Sequence, residues 1–329
     1  MTQAADFRGV FPVFQTPFGD DGELDLAALR GELDWIATQG VQGIVLGMVS
    51  EVLRLSERER EEVSRVACSA ASDHGFLAII SVGAESTSVA VRYARAAEEA
   101  GASGVMAIPP MATALPEDAV NEYYRNILAA TTLPVIVQDA SGYVGRALSI
   151  ELQAALLASY GDRVLFKPEA IPIGPRLSAL REATSGRARV FEGAGGIALI
   201  DSYRRGIVGT MPGADLCWAV VALWRSLEQG DFTSSYEIAA PLVGLIGLQS
   251  SLDAFVVVEK YLLHKQHVLT SSTARGPLSF HLDRETREEI DRLFAQLQRS
   301  VDAFRTRSGA ECTRLVAGDA RADHVERAE

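Results

Sequence analysis

Short apolar stretches alternate along the chain with longer stretches in which apolar residues recur every three or four positions. The first pattern is typical of buried strands and the second of amphipathic helices. The predicted strands cover 10–16, 43–48, 76–82, 104–108, 134–139, 164–169, 189–192 and 208–211, and the helices that follow them cover 25–39, 56–72, 86–100, 116–130, 149–159, 173–183, 197–205 and 215–229. Apolar strands that alternate with helices predict a parallel sheet covered by helices. Eight such pairs in this length favour a (β/α)8 TIM barrel, an α/β fold, over an open sheet.

Signals at helix starts and the pattern after the eighth pair complete the predicted organisation. Ser56, with Glu59 three residues later, forms a capping box ahead of the second helix. Three more helices are predicted over 233–248, 251–264 and 283–306. We therefore expect a barrel domain over 1–230, a C-terminal helical region over 231–307 and a polar, aperiodic tail over 308–329 that is disordered.

Composition narrows the class of partner. The 329 residues carry a net charge of −12, which argues against nucleic acid or an anionic membrane as the main partner. The apolar stretches are shorter than the ~20 residues that a membrane span needs, and residues 1–8 do not have the pattern of a signal peptide. The cysteines, Cys68, Cys217 and Cys312, are scattered, so the sequence predicts neither a disulfide framework nor a metal site. A cytoplasmic protein is expected.

A lysine at the end of the sixth predicted strand is the main candidate for chemistry. Lys167 follows an apolar stretch, where partial burial favours the neutral, nucleophilic amine. Side chains at i and i+2 lie on the same side of a strand, so Glu169 should lie beside it. An amine next to a carboxylate can attack a carbonyl group and transfer protons. The alternative is an ion pair that faces solvent, in which Glu169 only neutralises the lysine or caps the next helix.

Polar residues and glycines follow several other strands. Sites in (β/α)8 barrels lie at the carboxyl ends of the strands, so residues at those ends should converge on one mouth. The further candidates are Thr16 after the first strand, Met48, Val49 and Ser50 after the second, Gln138 and Asp139 after the fifth, and Gly193 and Gly195 after the seventh. The two glycines are interpreted as permitting tight turns and a close approach of the backbone to a ligand.

In this order and spacing, these residues resemble the dihydrodipicolinate synthase/N-acetylneuraminate lyase family of class I aldolases. The matching segments are 9–12, 16–18, 22–25, 40–44, Gly47 with Glu51, Lys167 with Glu169, 192–193 and 206–213. The resemblance implies that Lys167 forms a Schiff base with C2 of a 2-keto acid. It also implies that no cofactor is needed, because the lysine supplies the electron sink, and that the chain forms a homo-oligomer, a tetramer built as a dimer of dimers.

Departures from the family pattern favour one branch of the family. Gln138 stands where the family has a tyrosine that relays protons, and Met48 and Val49 stand where the synthases have two threonines that bind the substrate carboxylate. Tyr143 stands in place of a substrate-binding arginine. Synthesis of dihydrodipicolinate is therefore not expected. The Gln-Asp and Lys-x-Glu sequences resemble the branch that dehydrates 2-keto-3-deoxy sugar acids, such as 2-keto-3-deoxyarabonate.

In that interpretation Lys167 holds the substrate as an iminium, Glu169 removes a proton from C3, and Gln138 orients a substrate hydroxyl. A structural role for Gln138 as a polar core residue is the alternative. Two other functions stay open. One is a lyase that cleaves a carbon–carbon bond and releases pyruvate, with a water or Asp139 in place of the tyrosine. The other is a barrel that binds a keto acid without turnover.

The substrate carboxylate requires a separate binding site. Backbone N–H groups of residues 48–50 can form an anion nest. Ser50 adds the remaining hydroxyl of that loop and is favoured over Thr16 for direct contact. Thr16 is expected to form a hydrogen bond within the barrel mouth.

Overall fold

The protein folds as a barrel of eight parallel strands that alternate with helices, and the computed structural model describes residues 7–19 and 21–322, with side chains up to Gly309. The strands are β1 (Gly9–Val10), β2 (Gly43–Leu46), β3 (Leu77–Ser81), β4 (Gly104–Ala107), β5 (Val135–Asp139), β6 (Val164–Pro168), β7 (Phe191–Glu192) and β8 (Gly209–Thr210). Strands β2 to β6 pair in sequential order, and β8 pairs with both β1 and β7.

Single bridges between the two sheets close the barrel. Val13 pairs with Val45, which joins the first strand region to β2. Phe166 pairs with Val190, which joins β6 to the segment just before β7. The structure therefore confirms the predicted (β/α)8 barrel.

All eight strands are shorter than the sequence predicts, and proline contributes to this at the first and the eighth. Pro12 and Pro212 have no N–H group to donate to a regular ladder. The backbone pairing nevertheless continues past β1, since Phe11 N donates to Thr210 O at 2.9 Å and Val13 N donates to Pro212 O at 2.7 Å. The first strand keeps its path into the mouth although only two of its residues form regular ladder pairs.

The helices follow the predicted pattern closely. They are α1 (Leu26–Ala37), α2 (Glu57–His74), α3 (Thr87–Glu99), α4 (Glu117–Ala130), α5 (Ile150–Tyr160), α6 (Ile173–Ala183), α7 (Leu199–Arg204), α8 (Cys217–Glu228), α9 (Phe232–Gly247), α10 (Leu252–Lys265) and α11 (Arg284–Ala322). The predicted capping box is present at α2, where Glu59 N donates to Ser56 Oγ at 3.3 Å and Ser56 N donates to Glu59 Oε2 at 2.7 Å. No helix in the described part of the chain is both long and apolar enough to cross a bilayer.

Two large hydrophobic clusters form most of the core. One lies inside the barrel and contains Phe7, Phe11, Val13, Val45, Ile79, Met106, Ile136, Leu165, Phe191 and Met211. The larger core lies between the strands and the surrounding helices. Because the inner core fills the barrel below the strand ends, polar side chains one step further along the strands are left at the mouth.

The C-terminal helices are placed in two different ways. Helices α9 and α11 pack against α8 on the outside of the barrel, whereas α10 contacts the segments that follow β2 and β8 at the mouth. The backbone of α11 continues to Ala322, within the 308–329 tail for which we predict disorder. The end of that tail lies outside the described residues, and its disorder, like the predicted domain bounds and oligomer, stays a prediction.

Candidate active site

The pleat of β6 places Lys167 inside the barrel. Val164 and Phe166 pack outward against the helices, whereas Leu165 belongs to the inner core. Because side chains alternate along a strand, Lys167 points inward, one step above Leu165. In the parallel register of β5 and β6, Gln138 lies next to Lys167.

These residues form a hydrogen-bonded chain with Glu169. Lys167 Nζ lies 3.0 Å from Glu169 Oε1, and Gln138 Nε2 donates to Glu169 Oε2 at 2.7 Å. Lys167 is 4% exposed and Glu169 is 5% exposed. The ion pair that we weighed as an alternative is therefore present, but it is buried and faces a cavity instead of open solvent. The carboxylate is placed to take a proton from the amine. It is also close to where a carbon of a substrate attached to that amine would lie.

A cavity lies at the carboxyl ends of the strands and contains this chain of side chains. The barrel contributes Val13, Met48, Val49, Gln138, Tyr143, Lys167, Glu169, Gly193, Gly195, Met211 and Gly213, and α10 contributes Leu252, Phe255 and Glu259. Seven of the ten site residues predicted from the sequence lie in this wall. The assumption that strand ends converge on one mouth is thus supported by their positions.

Two of the predicted substrate-binding residues, Ser50 and Thr16, do not line the cavity. The Ser50 hydroxyl donates to Phe14 O at 2.5 Å and accepts from Gly47 N at 3.0 Å, and the side chain is fully buried. Thr16 Oγ1 donates to Ser50 O at 2.6 Å. The preference for Ser50 as a direct substrate contact needs correction, because its hydroxyl holds the turn after β2 to the first strand. Thr16 forms a hydrogen bond within the mouth, as expected.

Asp139 is also placed away from the cavity. Its carboxylate accepts hydrogen bonds from Ser141 N at 3.1 Å and Leu148 N at 3.0 Å, and Arg176 Nη2 lies 3.4 Å away. The strand alternation that turns Gln138 inward turns Asp139 outward. Asp139 therefore fixes the loop after β5, and the expectation that it binds substrate finds no support in this geometry.

The glycines after β7 give the reactive pair its space. A Cβ on Gly193 would lie 2.8 Å from both Lys167 Cε and Glu169 Cγ. Gly195 has a φ of +69°, a conformation that other residues rarely adopt. Both observations match the interpretation of these glycines as turn and close-approach positions.

Sequence reasoning missed the contribution of α10. Leu252, Phe255 and Glu259 lie at i, i+3 and i+7, on one side of the helix, and this side covers the mouth. An acidic residue on an otherwise apolar side of a helix was the available signal. What the sequence could not supply is the placement of α10, since Glu259 contacts Gln15, a residue 244 positions earlier.

Tyr143 is a second residue whose role the sequence did not reveal. It lines the cavity and packs edge-on against Phe255, with 5.6 Å between ring centroids. Burial raises the pKa of the Tyr143 phenol, and the nearby carboxylates of Glu169, Glu192 and Glu259 raise it further. The phenol therefore stays protonated and can act as a hydrogen-bond donor in the cavity.

Only one of the lysines of this chain lines the cavity. The sequence contains three lysines, Lys167, Lys260 and Lys265. Lys260 is fully buried in an ion pair with Glu51, and Lys265 lies at the surface, with Nζ 3.1 Å from Asp291. Lys167 alone among them lines the cavity.

Comparisons with known proteins agree with this geometry. The sequence model of the Dihydrodipicolinate synthetase family matches residues 6–297. The chain is 28% identical over 291 residues to the L-2-keto-3-deoxyarabonate dehydratase of Azospirillum brasilense, which covers 86% of this chain and 92% of that protein. It is also 28% identical over 300 residues to the 4-hydroxy-tetrahydrodipicolinate synthase of Natronomonas pharaonis, covering 89% of this chain and 98% of that protein.

A solved structure shows the same architecture. The crystal structure of dihydrodipicolinate synthase from Rhodopseudomonas palustris superimposes with a TM-score of 0.81 at 26% identity, and the match covers 89% of this chain and 98% of that one. Relatives with different activities are thus about equally similar to this chain. The residues of the cavity, and not overall identity, have to separate those activities.

Proposed function

The chain belongs to the dihydrodipicolinate synthetase family, and from this we propose that it dehydrates a 2-keto-3-deoxy sugar acid, of the 2-keto-3-deoxyarabonate type, through an iminium on Lys167. One observation carries the proposal. The chain Lys167–Glu169–Gln138 places a carboxylate beside the only cavity lysine, while an amide occupies the place of the relay tyrosine.

The Schiff base sets up the chemistry at C3. Condensation of the Lys167 amine with the C2 carbonyl releases water and gives an iminium, which acidifies the hydrogens on C3. Glu169, 3.0 Å from Nζ through Oε1, lies within reach of a C3 hydrogen. Its other oxygen is held by Gln138, which fixes the orientation of the carboxylate. Glu169 is therefore assigned the transfer of the C3 proton.

Gln138 favours loss of water over cleavage of the C3–C4 bond. Cleavage needs a base that removes the proton of the C4 hydroxyl, and an amide is not a base at neutral pH. The Gln138 Nε2 group is bound to Glu169, and its carbonyl oxygen has no partner among the described residues. That oxygen can accept a hydrogen bond from a substrate hydroxyl and orient it.

The start of the turn after β2 supports a site for the substrate carboxylate. A 3-10 turn spans Met48–Ser50, and its internal bonds use the N–H groups of Ser50 and Glu51. The N–H groups of Met48 and Val49 are left for another acceptor, as at the beginning of any helical turn. Both residues line the cavity, so their amides are proposed to bind the carboxylate, consistent with the predicted nest.

The first experiment is reduction with borohydride in the presence of pyruvate, followed by intact mass and peptide mapping. We expect one adduct on the peptide that contains Lys167, no adduct on Lys167→Ala, and a full adduct on the control Lys265→Ala. With three lysines in the chain, the map has few competing sites. Failure of the folded wild type to form an adduct would contradict the Schiff-base proposal.

The second experiment separates the two reactions. A panel of 2-keto-3-deoxy acids is incubated with the wild type, and both pyruvate and the dehydrated semialdehyde product are quantified. We expect the dehydrated product and little pyruvate. Release of pyruvate from every substrate that reacts, without loss of water, would leave the Schiff base in place and refute the dehydratase assignment.

A further inference from the structure

A second glutamate faces the cavity from outside the eight barrel units. Glu259, on α10, lines the same wall as Lys167 and Glu169 and is 2% exposed. Its Oε2 accepts a hydrogen bond from Gln15 Nε2 at 2.5 Å. Its Oε1 has no hydrogen-bond partner among the described residues, and it lies 2.6 Å from the position that a Cβ on Gly213, another wall residue, would take. One carboxyl oxygen is thus held and the other is available at the cavity.

Two more buried carboxyl groups lie behind Glu259. Glu32 accepts a hydrogen bond from Gln15 N at 2.8 Å, and Asp215 Oδ1 lies 2.6 Å from the same Cβ position on Gly213. Burial raises the pKa of Glu259 well above its usual range, and the neighbouring Asp215 and Glu32 raise it further, against Gln15 and Lys167. Burial likewise raises the pKa of Glu32 to about 8 and that of Asp215 to about 7. Burial thus shifts all three carboxyl groups toward their protonated forms.

Unpartnered atoms in the cluster point to the same protonation. Gln15 Oε1, Glu32 Oε2 and Asp215 Oδ2 are buried without a hydrogen-bond partner. If all three carboxyl groups were ionised, they and the Gln15 amide oxygen could only accept hydrogen bonds. Burying acceptors without donors lowers the free energy of unfolding. The buried ammonium groups of Lys260 and Lys167 have other partners, since Lys260 is bound to Glu51 and two carbonyl oxygens and Lys167 is bound to Glu169. Protonation of carboxyl groups in this cluster would provide O–H donors.

The two cavity glutamates therefore have opposite environments. Glu169 is paired with the Lys167 amine and is bound by the Gln138 amide. Burial and the neighbouring acids raise the pKa of Glu259, whereas the hydrogen bond from the Gln15 amide lowers it. A buried carboxyl group whose surroundings favour the protonated form is suited to act as an acid, so Glu259 is suited to that role.

We propose that Glu259 is the general acid that protonates the departing hydroxyl, with Glu32 and Asp215 as a buried proton store behind it. The inference rests on the dehydratase function proposed above. Glu169 removes the C3 proton, and the C3–H electron pair forms the C2–C3 double bond of an enamine while the iminium π pair moves onto nitrogen. That nitrogen pair then re-forms the iminium, and the C2–C3 π pair becomes the C3–C4 double bond as the C4–O bond breaks. The hydroxyl leaves as water with the proton of Glu259, which becomes a carboxylate. Hydrolysis of the product iminium frees Lys167, and protons exchange with solvent before the next turnover.

Glu259→Gln tests this assignment with two readouts. The amide keeps the shape of the side chain and can still accept from Gln15, but it cannot deliver a proton to a leaving hydroxyl. Exchange of the pyruvate methyl hydrogens in D2O needs the iminium and Glu169 alone, so we expect it to stay within about threefold of the wild type. Dehydration of the panel substrate that the wild type converts fastest should fall about 10²–10³-fold, the range of general acid catalysis.

Two matched variants complete the test. Glu237→Gln, on the exposed side of α9, should change neither rate. Tyr143→Phe removes the other protonated group that lines the cavity and should slow dehydration much less than Glu259→Gln does. In the wild type, dehydration should also slow as pH rises through the raised pKa of Glu259, since the acid form is lost there, and Glu259→Gln should lack this decrease.

The outcomes separate this inference from the function on which it depends. Normal dehydration by Glu259→Gln, or a larger loss with Tyr143→Phe, overturns the role of Glu259 and leaves the dehydratase function intact. Equal loss of methyl exchange and dehydration in Glu259→Gln makes Glu259 structural and also overturns the role. A wild type that exchanges pyruvate hydrogens but dehydrates nothing refutes both, while the Schiff base stands.

Discussion

Two buried lysines of this protein, Lys167 at the end of β6 and Lys260 on α10, differ in how completely their ammonium groups are bound. Lys260 is fully buried, and its Nζ contacts the Glu51 carboxylate, Thr16 O at 2.7 Å and Thr273 O at 2.8 Å. Lys167 is 4% exposed and has a single acceptor among the described residues, Oε1 of Glu169 at 3.0 Å.

The difference shows that burial alone does not identify a reactive lysine. An ammonium group has three N–H donors, and three acceptors around Lys260 use all of them. That arrangement fixes α10 over the mouth and leaves the amine no freedom to react. Lys167, with one acceptor and a cavity on its other side, has room to turn toward a bound carbonyl group. The structural role of Lys260 and the chemistry proposed for Lys167 thus belong to different lysines.

The largest effect that tests this division is on turnover. Lys167→Met should lower the rate of substrate conversion by at least about 10⁴-fold, because no other group can form the iminium. Pyruvate-dependent trapping by borohydride should be abolished as well. The matched variant Lys260→Met, assayed at a temperature at which it is folded, should still form the adduct. Adduct formation by Lys167→Met, or its loss in folded Lys260→Met, would reverse the roles assigned here.

The second effect is on stability, and here Lys260→Met should lose more unfolding free energy than Lys167→Met. Lys260→Met leaves the Glu51 carboxylate buried without its cation, which typically costs about 3–5 kcal/mol of unfolding free energy. Lys167→Met leaves Glu169 bound to Gln138 and facing a cavity that water can enter, so its cost should be less than about 2 kcal/mol. Chemical denaturation of both variants checks the prediction. Equal destabilisation would show that Lys167 is as much a structural cation as Lys260.

Whether the sequence could predict the surroundings of these two lysines depends on how far apart in the sequence the contacting residues lie. Lys167, Glu169 and Gln138 lie on adjacent strands, so strand alternation and the order of strands in a barrel suffice to bring them together. Lys260 and Glu259 depend on where α10 docks, and no local pattern encodes contacts across 209 and 244 residues.

For two loop residues near the site, the sequence did not predict the orientation of the side chain, and the reason is different. Ser50 and Asp139 have the right side chains at the right strand ends, but their polar groups are used by nearby backbone atoms. Short polar side chains readily bind local backbone N–H and C=O groups in turns. The sequence therefore predicts their position in the mouth but not the direction in which they point.

The carboxylate partners of the two lysines should also respond differently. Glu169→Gln removes the proposed proton acceptor and should slow methyl exchange and dehydration by about 10²–10³-fold, while leaving the fold intact. Glu51→Gln removes the anion beside Lys260, so the loss should appear in unfolding free energy while methyl exchange is retained. NMR of pyruvate in D2O, paired with denaturation curves, measures both quantities. Unchanged exchange in Glu169→Gln would rule out its role as the base.

The smallest effect is a loss of unfolding free energy at acid pH. It arises in the segment that surrounds Lys260. Arg275 Nη2 lies 2.8 Å from Glu59 Oε1, and the Arg275 N–H group donates to Glu51 Oε2 at 2.8 Å, so the Glu59 pair supports the Lys260 region. Hydrogen bonding from Arg275 lowers the pKa of Glu59 from 4.5 to about 2. Because the folded pKa is the lower one, this stabilisation is complete above pH 4.5 and is lost as pH falls toward 2.

The variant Glu59→Gln isolates that contribution. Glu59 is 18% exposed, so solvent screening reduces the contribution of its ion pair to the unfolding free energy. The difference in unfolding free energy between wild type and variant should therefore narrow by about 0.5–1 kcal/mol between pH 7 and pH 4. Glu57→Gln, on the exposed side of the same helix, should show a difference that barely changes. Unfolding curves at several pH values give both differences. A difference that widens as pH falls would mean that Arg275 is not held by an ionised Glu59. The Glu51–Lys260 pair would then lack the support of a neighbouring ion pair, which sets Lys260 apart from Lys167.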